Sequence, residues 1–84
     1  MEELSKALRR ALVSRFGVRQ ALEDDTALFS AELIDSLNVV ELVCFVEEQL
    51  GCAIPPAEIT LENFDSISRI VRFASKLGAI GNGK

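Results

Sequence analysis

Asp35-Ser36-Leu37 is the place in this chain where residue types and spacing could support chemistry. It lies in Leu33-Ile34-Asp35-Ser36-Leu37-Asn38-Val39-Val40-Glu41-Leu42, where a loop gives way to a helix. A serine attacks a substrate when a neighbouring base takes its proton, and the usual base is histidine. The chain contains no histidine. No lysine follows at the Ser-x-x-Lys spacing that can substitute for one. Chemistry at Ser36 therefore points to a hydroxyl that is modified rather than one that attacks. First-turn amides and the positive end of a helix also favour an anionic substituent there. Asp35 would repel that anion, so its benefit must lie elsewhere.

A serine at a helix start is most often only a cap. The chain carries a second copy of the pattern, since Asp65-Ser66-Ile67 also opens a helix. The surroundings differ. Ser66 leads into Arg69, Arg72 and Lys76, whereas Ser36 follows a long loop and leads into an acidic, strongly apolar helix.

The elements that must position these residues are all helical. Leu4, Leu8, Ala11, Leu12 and Phe16 recur at three- and four-residue steps and predict a helix over 3–16, ended by Gly17. Residues 17–35 form a connection long enough to require its own packing, which Leu28, Phe29, Leu33 and Ile34 can supply. A second helix is expected over 36–50, capped by Asp35 or Ser36 and stopped by Gly51. Pro55-Pro56 ends an extended stretch and opens a short helix over 56–62. Asp65 is expected to cap a last helix over 66–77, with Ile67, Ile70, Val71, Ala74 and Leu77 on one face and Gly78 as its stop. Residues 79–84 should fray. The expected architecture is a single all-α domain over 1–84, a small four-helix bundle with a long first loop.

At 84 residues, the chain can bury only roughly 60–65% of its unfolded surface, so a deep, multilayered pocket is not expected. An apolar content of 49% is enough for folding rather than disorder. No run of 18 apolar residues marks a membrane span, and the acidic start, Met1-Glu2-Glu3-Leu4, is unlike a signal peptide. A cytoplasmic monomer is the expectation. Cys44 and Cys52 do not form a metal-binding spacing and read as reduced thiols.

The net charge of −4 conceals a segregation. Residues 1–22 hold five basic and two acidic groups. Residues 23–65 hold eleven acidic and no basic ones, and four basic groups follow. The acidic middle would repel phosphates, which argues against nucleic acid, and points to docking on basic partner surfaces. Residues 23–35 lack the alternating ligands and central glycine of an EF-hand calcium loop.

The second helix has two apolar stripes. At 100° per residue, Val39, Val43, Val46 and Leu50 gather on one side, flanked by Leu42, and suffice to face a core. Leu37, Val40 and Cys44 gather on another side, bordered by Glu41, Glu47 and Glu48. Full burial would strand the glutamates, so the second stripe reads as a partner-docking strip beginning beside Ser36.

With these residues in view, the chain from about 3 to 77 resembles the acyl and peptidyl carrier proteins. Val40-Glu41-Leu42-Val43, Glu47-Glu48-Gln49-Leu50-Gly51 and Ile54-Pro55 are similar to that family's second helix and its exit. Thr60-Leu61-Glu62-Asn63-Phe64-Asp65-Ser66-Ile67 is similar to the approach to its last helix. The resemblance implies that Ser36 carries a covalent 4'-phosphopantetheine arm and that Ser66 is structural. It implies that a phosphopantetheinyl transferase, using magnesium of its own, moves the arm from coenzyme A and recognises Asp35. It further implies a non-enzymatic carrier whose arm holds a thioester, docking through Asp35, Leu37, Asn38, Val40, Glu41, Cys44, Glu47 and Glu48 on the transferase, a loading ligase and downstream synthases or transferases. Asn38 stands where many fatty-acid carriers have an acid, and Leu33 where glycine is common. Leu33-Ile34-Asp35-Ser36 looks more like stand-alone carriers of D-alanine and other amino acids, so a specialised pathway is expected over housekeeping fatty-acid synthesis. The rival reading from another class is an unmodified helical adaptor.

Overall fold

The computed structural model describes residues 2–82, all of whose regular elements are helical. Helix α1 spans Glu2–Ser14, α2 Val39–Leu50, α3 Leu61–Phe64 and α4 Ile67–Asn82. Two 3-10 turns, Ser36–Asn38 and Pro56–Glu58, precede α2 and α3. The periodicity of α1 becomes its packing: Leu4, Leu8, Ala11 and Leu12 are buried, and Phe16 lies half-buried just beyond. Gly17 turns the chain at φ 71°, in the left-handed region that a side chain disfavours, and the Val18 amide donates back to Leu12 O at 3.0 Å. Helix α1 packs on α4, and α3 abuts α4. The core closes over Leu42 and Val46 of α2, Phe64 of α3, and Ile67, Ile70 and Ala74 of α4. The Phe64 and Phe73 rings meet with centroids 5.7 Å apart and a tilt of 50°.

Several features differ from the sequence expectation: α1 ends at Ser14 rather than residue 16, and Ser36–Asn38 form a 3-10 turn ahead of α2 rather than its first turn. The helix expected over 56–62 is divided. A 3-10 turn ends at Glu58, Ile59 and Thr60 leave helical geometry, and α3 starts only at Leu61. The Asn63 side-chain amide donates to Glu58 O at 2.9 Å and to Glu58 Oε1 at 3.1 Å, bridging the break with side-chain bonds in place of a helical ladder. Helix α4 continues through Gly78, the expected stop, to Asn82. A glycine inside a helix costs about 1 kcal/mol relative to alanine but keeps its amide in the ladder, so it does not oblige a helix to end. The fraying expected of 79–84 is thus replaced by helix as far as Asn82, and residues 83–84 lie outside the described residues. Last, Asp65 does not cap α4. Ser66 does, its hydroxyl accepting from the Arg69 amide at 3.1 Å.

The long connection is packed and stitched down. Val18, Leu22, Leu28 and Ile34 are buried, and Phe29 and Leu33 rest half-buried on the core. Arg9 of α1 donates to Leu22 O and forms an ion pair with Asp24 at 2.5 Å. From the other side, the Ser68 amide donates to Asp24 O and the Ser68 hydroxyl to Asp25 Oδ1, both at 2.8 Å.

Candidate functional site

Ser36 sits at the first position of the turn that leads into α2 and is exposed. Asp35 makes this turn. Its backbone is extended (φ −64°, ψ 136°), its carboxylate accepts from the Leu37 amide at 3.0 Å, and its carbonyl accepts from the Asn38 amide at 2.8 Å. The Leu37 and Asn38 amides are thus satisfied by the residue before the serine, and no hydrogen bond among the described residues engages the Ser36 hydroxyl. This supplies the benefit of Asp35 that its charge alone obscured: it holds the turn that presents Ser36. The Asn38 side chain makes no capping bond.

Asp65 and Ser66 do different work from Asp35 and Ser36 in the matching pattern. Ser66 is 3% exposed and spent on its cap and on a 3.2 Å contact with the Ser68 hydroxyl. The Asp65 carboxylate reaches back to the long loop. It accepts from the Phe29 amide at 2.7 Å, the Ser30 amide at 3.0 Å and the Ser30 hydroxyl at 2.6 Å, while the Leu28 amide donates to Asp65 O at 2.8 Å. Burial opposes ionisation of Asp65, but the Ser30 hydroxyl and the neighbouring amides outweigh it and hold its carboxyl below the usual carboxylate range. The loop then turns at Glu32 in a left-handed conformation (φ 61°), with the Leu33 and Ile34 amides both donating to Leu28 O. One end of the loop is clamped at Phe29-Ser30, and the other delivers Asp35-Ser36.

Beyond Ser36, α2 shows the two expected sides. Leu42, Val43, Phe45 and Val46 are buried, and Val39 and Leu50 are half-buried against the core. Leu37 is 83% exposed and Val40 67%. Cys44, Glu41 and Glu48 are exposed with them, so one face carries an apolar strip beside two carboxylates. Glu47 stands apart from those two. It is half-buried, and its carboxylate accepts from the Ile54 amide at 2.7 Å, fastening the segment after Gly51 to α2. Phe45 belongs to neither stripe of the sequence reading. It is buried toward α1, with the Arg15 guanidinium 5.2 Å above its ring. Only the tertiary fold, which brings the turn after α1 over α2, could have revealed that contact. Both thiols, Cys44 and Cys52, are free and exposed. Among the described residues no group of histidine, cysteine or carboxylate side chains is placed to hold a metal ion, and no helix is long and apolar enough to cross a membrane.

An exposed, unbonded hydroxyl on a preformed turn, next to an apolar strip with carboxylates, can accept a covalent group and present it to a partner. Comparison with known proteins agrees with that geometry. The family model for the phosphopantetheine attachment site matches residues 6–74. The D-alanyl carrier protein of Abiotrophia defectiva is 36% identical over 76 residues, covering 90% of this chain and 94% of its own. The acyl carrier proteins of Rhodopseudomonas palustris (strain TIE-1) and Nitrobacter winogradskyi are each 39% identical over 56 residues, covering 66% of this chain and 71% of theirs.

Proposed function

The chain belongs to the phosphopantetheine-attachment family of carrier proteins, and we propose that within it Ser36 is the residue that carries the arm. The observation that carries this reading is the contrast between the two serines. Ser36 is exposed and its hydroxyl has no hydrogen-bond partner among the described residues, whereas Ser66 is 3% exposed and committed to its cap. The residues present fit a phosphodiester: the hydroxyl is reachable on an exposed turn, and the added group can extend into solvent. When bound, the arm supplies a terminal thiol on which cargo is held as a thioester. The chain contributes no catalytic group. Asp35 fixes the turn, and the helix that follows offers Leu37, Val40 and Cys44 with Glu41 and Glu48 to the transferase, to a loading ligase and to a downstream synthase or transferase. Tethering replaces free diffusion of cargo by a high effective concentration at each enzyme.

The cargo is an acyl or aminoacyl group. The D-alanyl carrier protein aligns over more of this chain than the acyl carriers do, which supports an aminoacyl cargo; an adenylating loading ligase and a specialised, cytoplasmic pathway belong to the same proposal. The test is the intact mass of the protein after incubation with coenzyme A and a broad-specificity phosphopantetheinyl transferase. The mass should rise by one phosphopantetheine, Ser36→Ala should abolish the rise, and Ser66→Ala should retain it. A modified Ser36→Ala protein would assign the arm elsewhere, and an unmodified parent would leave a helical adaptor.

A further inference from the structure

The flank of α2 that faces α1 has the opposite charge from the strip beside Ser36. A shallow groove of about 280 Å³ runs there, lined by Ala7, Arg10, Ala11, Arg15, Phe45 and Gln49. Its lining holds two guanidinium groups and no carboxylate. The one ion pair among the described residues joins Arg9 to Asp24, so neither Arg10 nor Arg15 has an ion-pair partner among them. Both are exposed. Arg15 is also restrained, because its guanidinium lies over the Phe45 ring and loses less freedom when its edge meets an anion. The floor is apolar, formed by Ala7, Ala11 and Phe45.

We infer that this groove is a second docking subsite, which receives an acidic side chain from a segment of a partner enzyme. The fit is chemical. A glutamate or aspartate side chain would lay its methylene groups on the alanines and Phe45 and place its carboxylate between Arg10 and Arg15. The groove is open and shallow rather than an enclosing cavity of the kind that surrounds a whole small ligand. It therefore suits one or two side chains of a docked segment. On the helical wheel of α2, Phe45 and Gln49 lie between the core stripe and Glu41-Glu48. A partner covering the exposed strip must then satisfy a negative edge and a positive edge side by side. A uniformly basic partner surface would meet Arg10 and Arg15 as a repulsive border, so the groove selects among partners as well as binding one. Naming the partner as an enzyme rests on the carrier reading, while the binding itself does not.

The experiment titrates an acetylated, amidated hexaglutamate peptide into the unmodified full chain and follows backbone amide and arginine side-chain NMR signals. The groove residues Ala7, Arg10, Ala11, Arg15, Phe45 and Gln49 should shift together. The shifts should fade at high salt and be lost in Arg10→Glu, which is exposed and spares the Phe45 contact, and in Arg15→Glu, with Arg72→Glu behaving like the parent. Shifts distributed equally over Arg69, Arg72 and Lys76, or none at millimolar peptide, would overturn the subsite. Concentration-dependent self-association that shifts the same signals without peptide, and is lost in Arg10→Glu, would overturn the partner assignment in favour of a second copy. Because no arm is involved, a failure here leaves the Ser36 assignment standing, and a failed modification at Ser36 leaves this binding intact.

Discussion

The Ser30 hydroxyl donates to Asp65 Oδ2 at 2.6 Å, across 35 positions of sequence. With the amides of Phe29 and Ser30 on the other carboxylate oxygen, this contact ties the middle of the long loop to the junction of α3 and α4. The loop that delivers Asp35-Ser36 is thus held by an acid that the sequence placed in a matching Asp-Ser pattern.

This clamp has a pH dependence. The Asp65 carboxyl is held below its ordinary value in the folded protein, so the unfolded chain binds its proton first as pH falls. The stabilisation is complete above the ordinary aspartate range, near about 3.9, and is lost as pH drops through the lower folded value. Asp65→Ala should cost about 2 kcal/mol at neutral pH, the scale of hydrogen bonds to a charged group. Urea unfolding between pH 7 and 2 checks this. The difference between parent and variant should shrink only at the acid end, and a constant difference would remove Asp65 ionisation as the cause.

The two serines should trade effects. Ser36→Ala removes an exposed, unbonded hydroxyl and should change stability by no more than about 0.5 kcal/mol while abolishing modification. Ser66→Ala removes a helix cap and should cost about 1 kcal/mol while leaving modification intact. Thermal melts paired with intact mass read both axes at once.

The two sides of α2 separate in the same way. Leu37→Ala should melt within about 0.5 kcal/mol of the parent, because Leu37 is 83% exposed. It should nevertheless be a poor substrate for the transferase. Leu42 is fully buried, and Leu42→Ala should lose roughly 2–5 kcal/mol. A Leu37→Ala protein modified at the parental rate would remove Leu37 from the docking strip.

The three glutamates of α2 should also divide. Glu47→Ala unties the Ile54 amide and should destabilise by about 1–3 kcal/mol. Glu41→Lys and Glu48→Lys should leave the helical spectrum and melting unchanged and slow modification, most visibly at low ionic strength, since exposed charges are screened over about 8–10 Å near physiological salt. Modification rates insensitive to both reversals and to salt would reduce those two carboxylates to a solubility role.

Much of the site was legible because its causes are local. A cap acts on amides two or three residues ahead, and a helical stripe repeats every three or four, so Asp35-Ser36 at a helix start and the two sides of α2 follow from spacing alone. The exposure of Leu37 and Val40 agreed with that reading because the opposite stripe already fills the core. Contacts made at a distance were not legible. Asp65 finding Ser30, Glu47 turning inward to Ile54, and Arg15 settling over Phe45 depend on which surfaces the fold brings together. The continuation of α4 beyond Gly78 is of the same kind, because a glycine permits a helix stop without compelling one. Sequence decided that Ser36 opens the turn leading into α2 and that α2 has two faces. Tertiary structure decided that Ser66, in an almost identical local pattern, is buried and spent, while Ser36 is left with a free hydroxyl. The capping residue differs, Asp35 at the first site and Ser66 at the second, because the fold draws the Asp65 carboxylate to Phe29 and Ser30 and buries Ser66 at the start of α4.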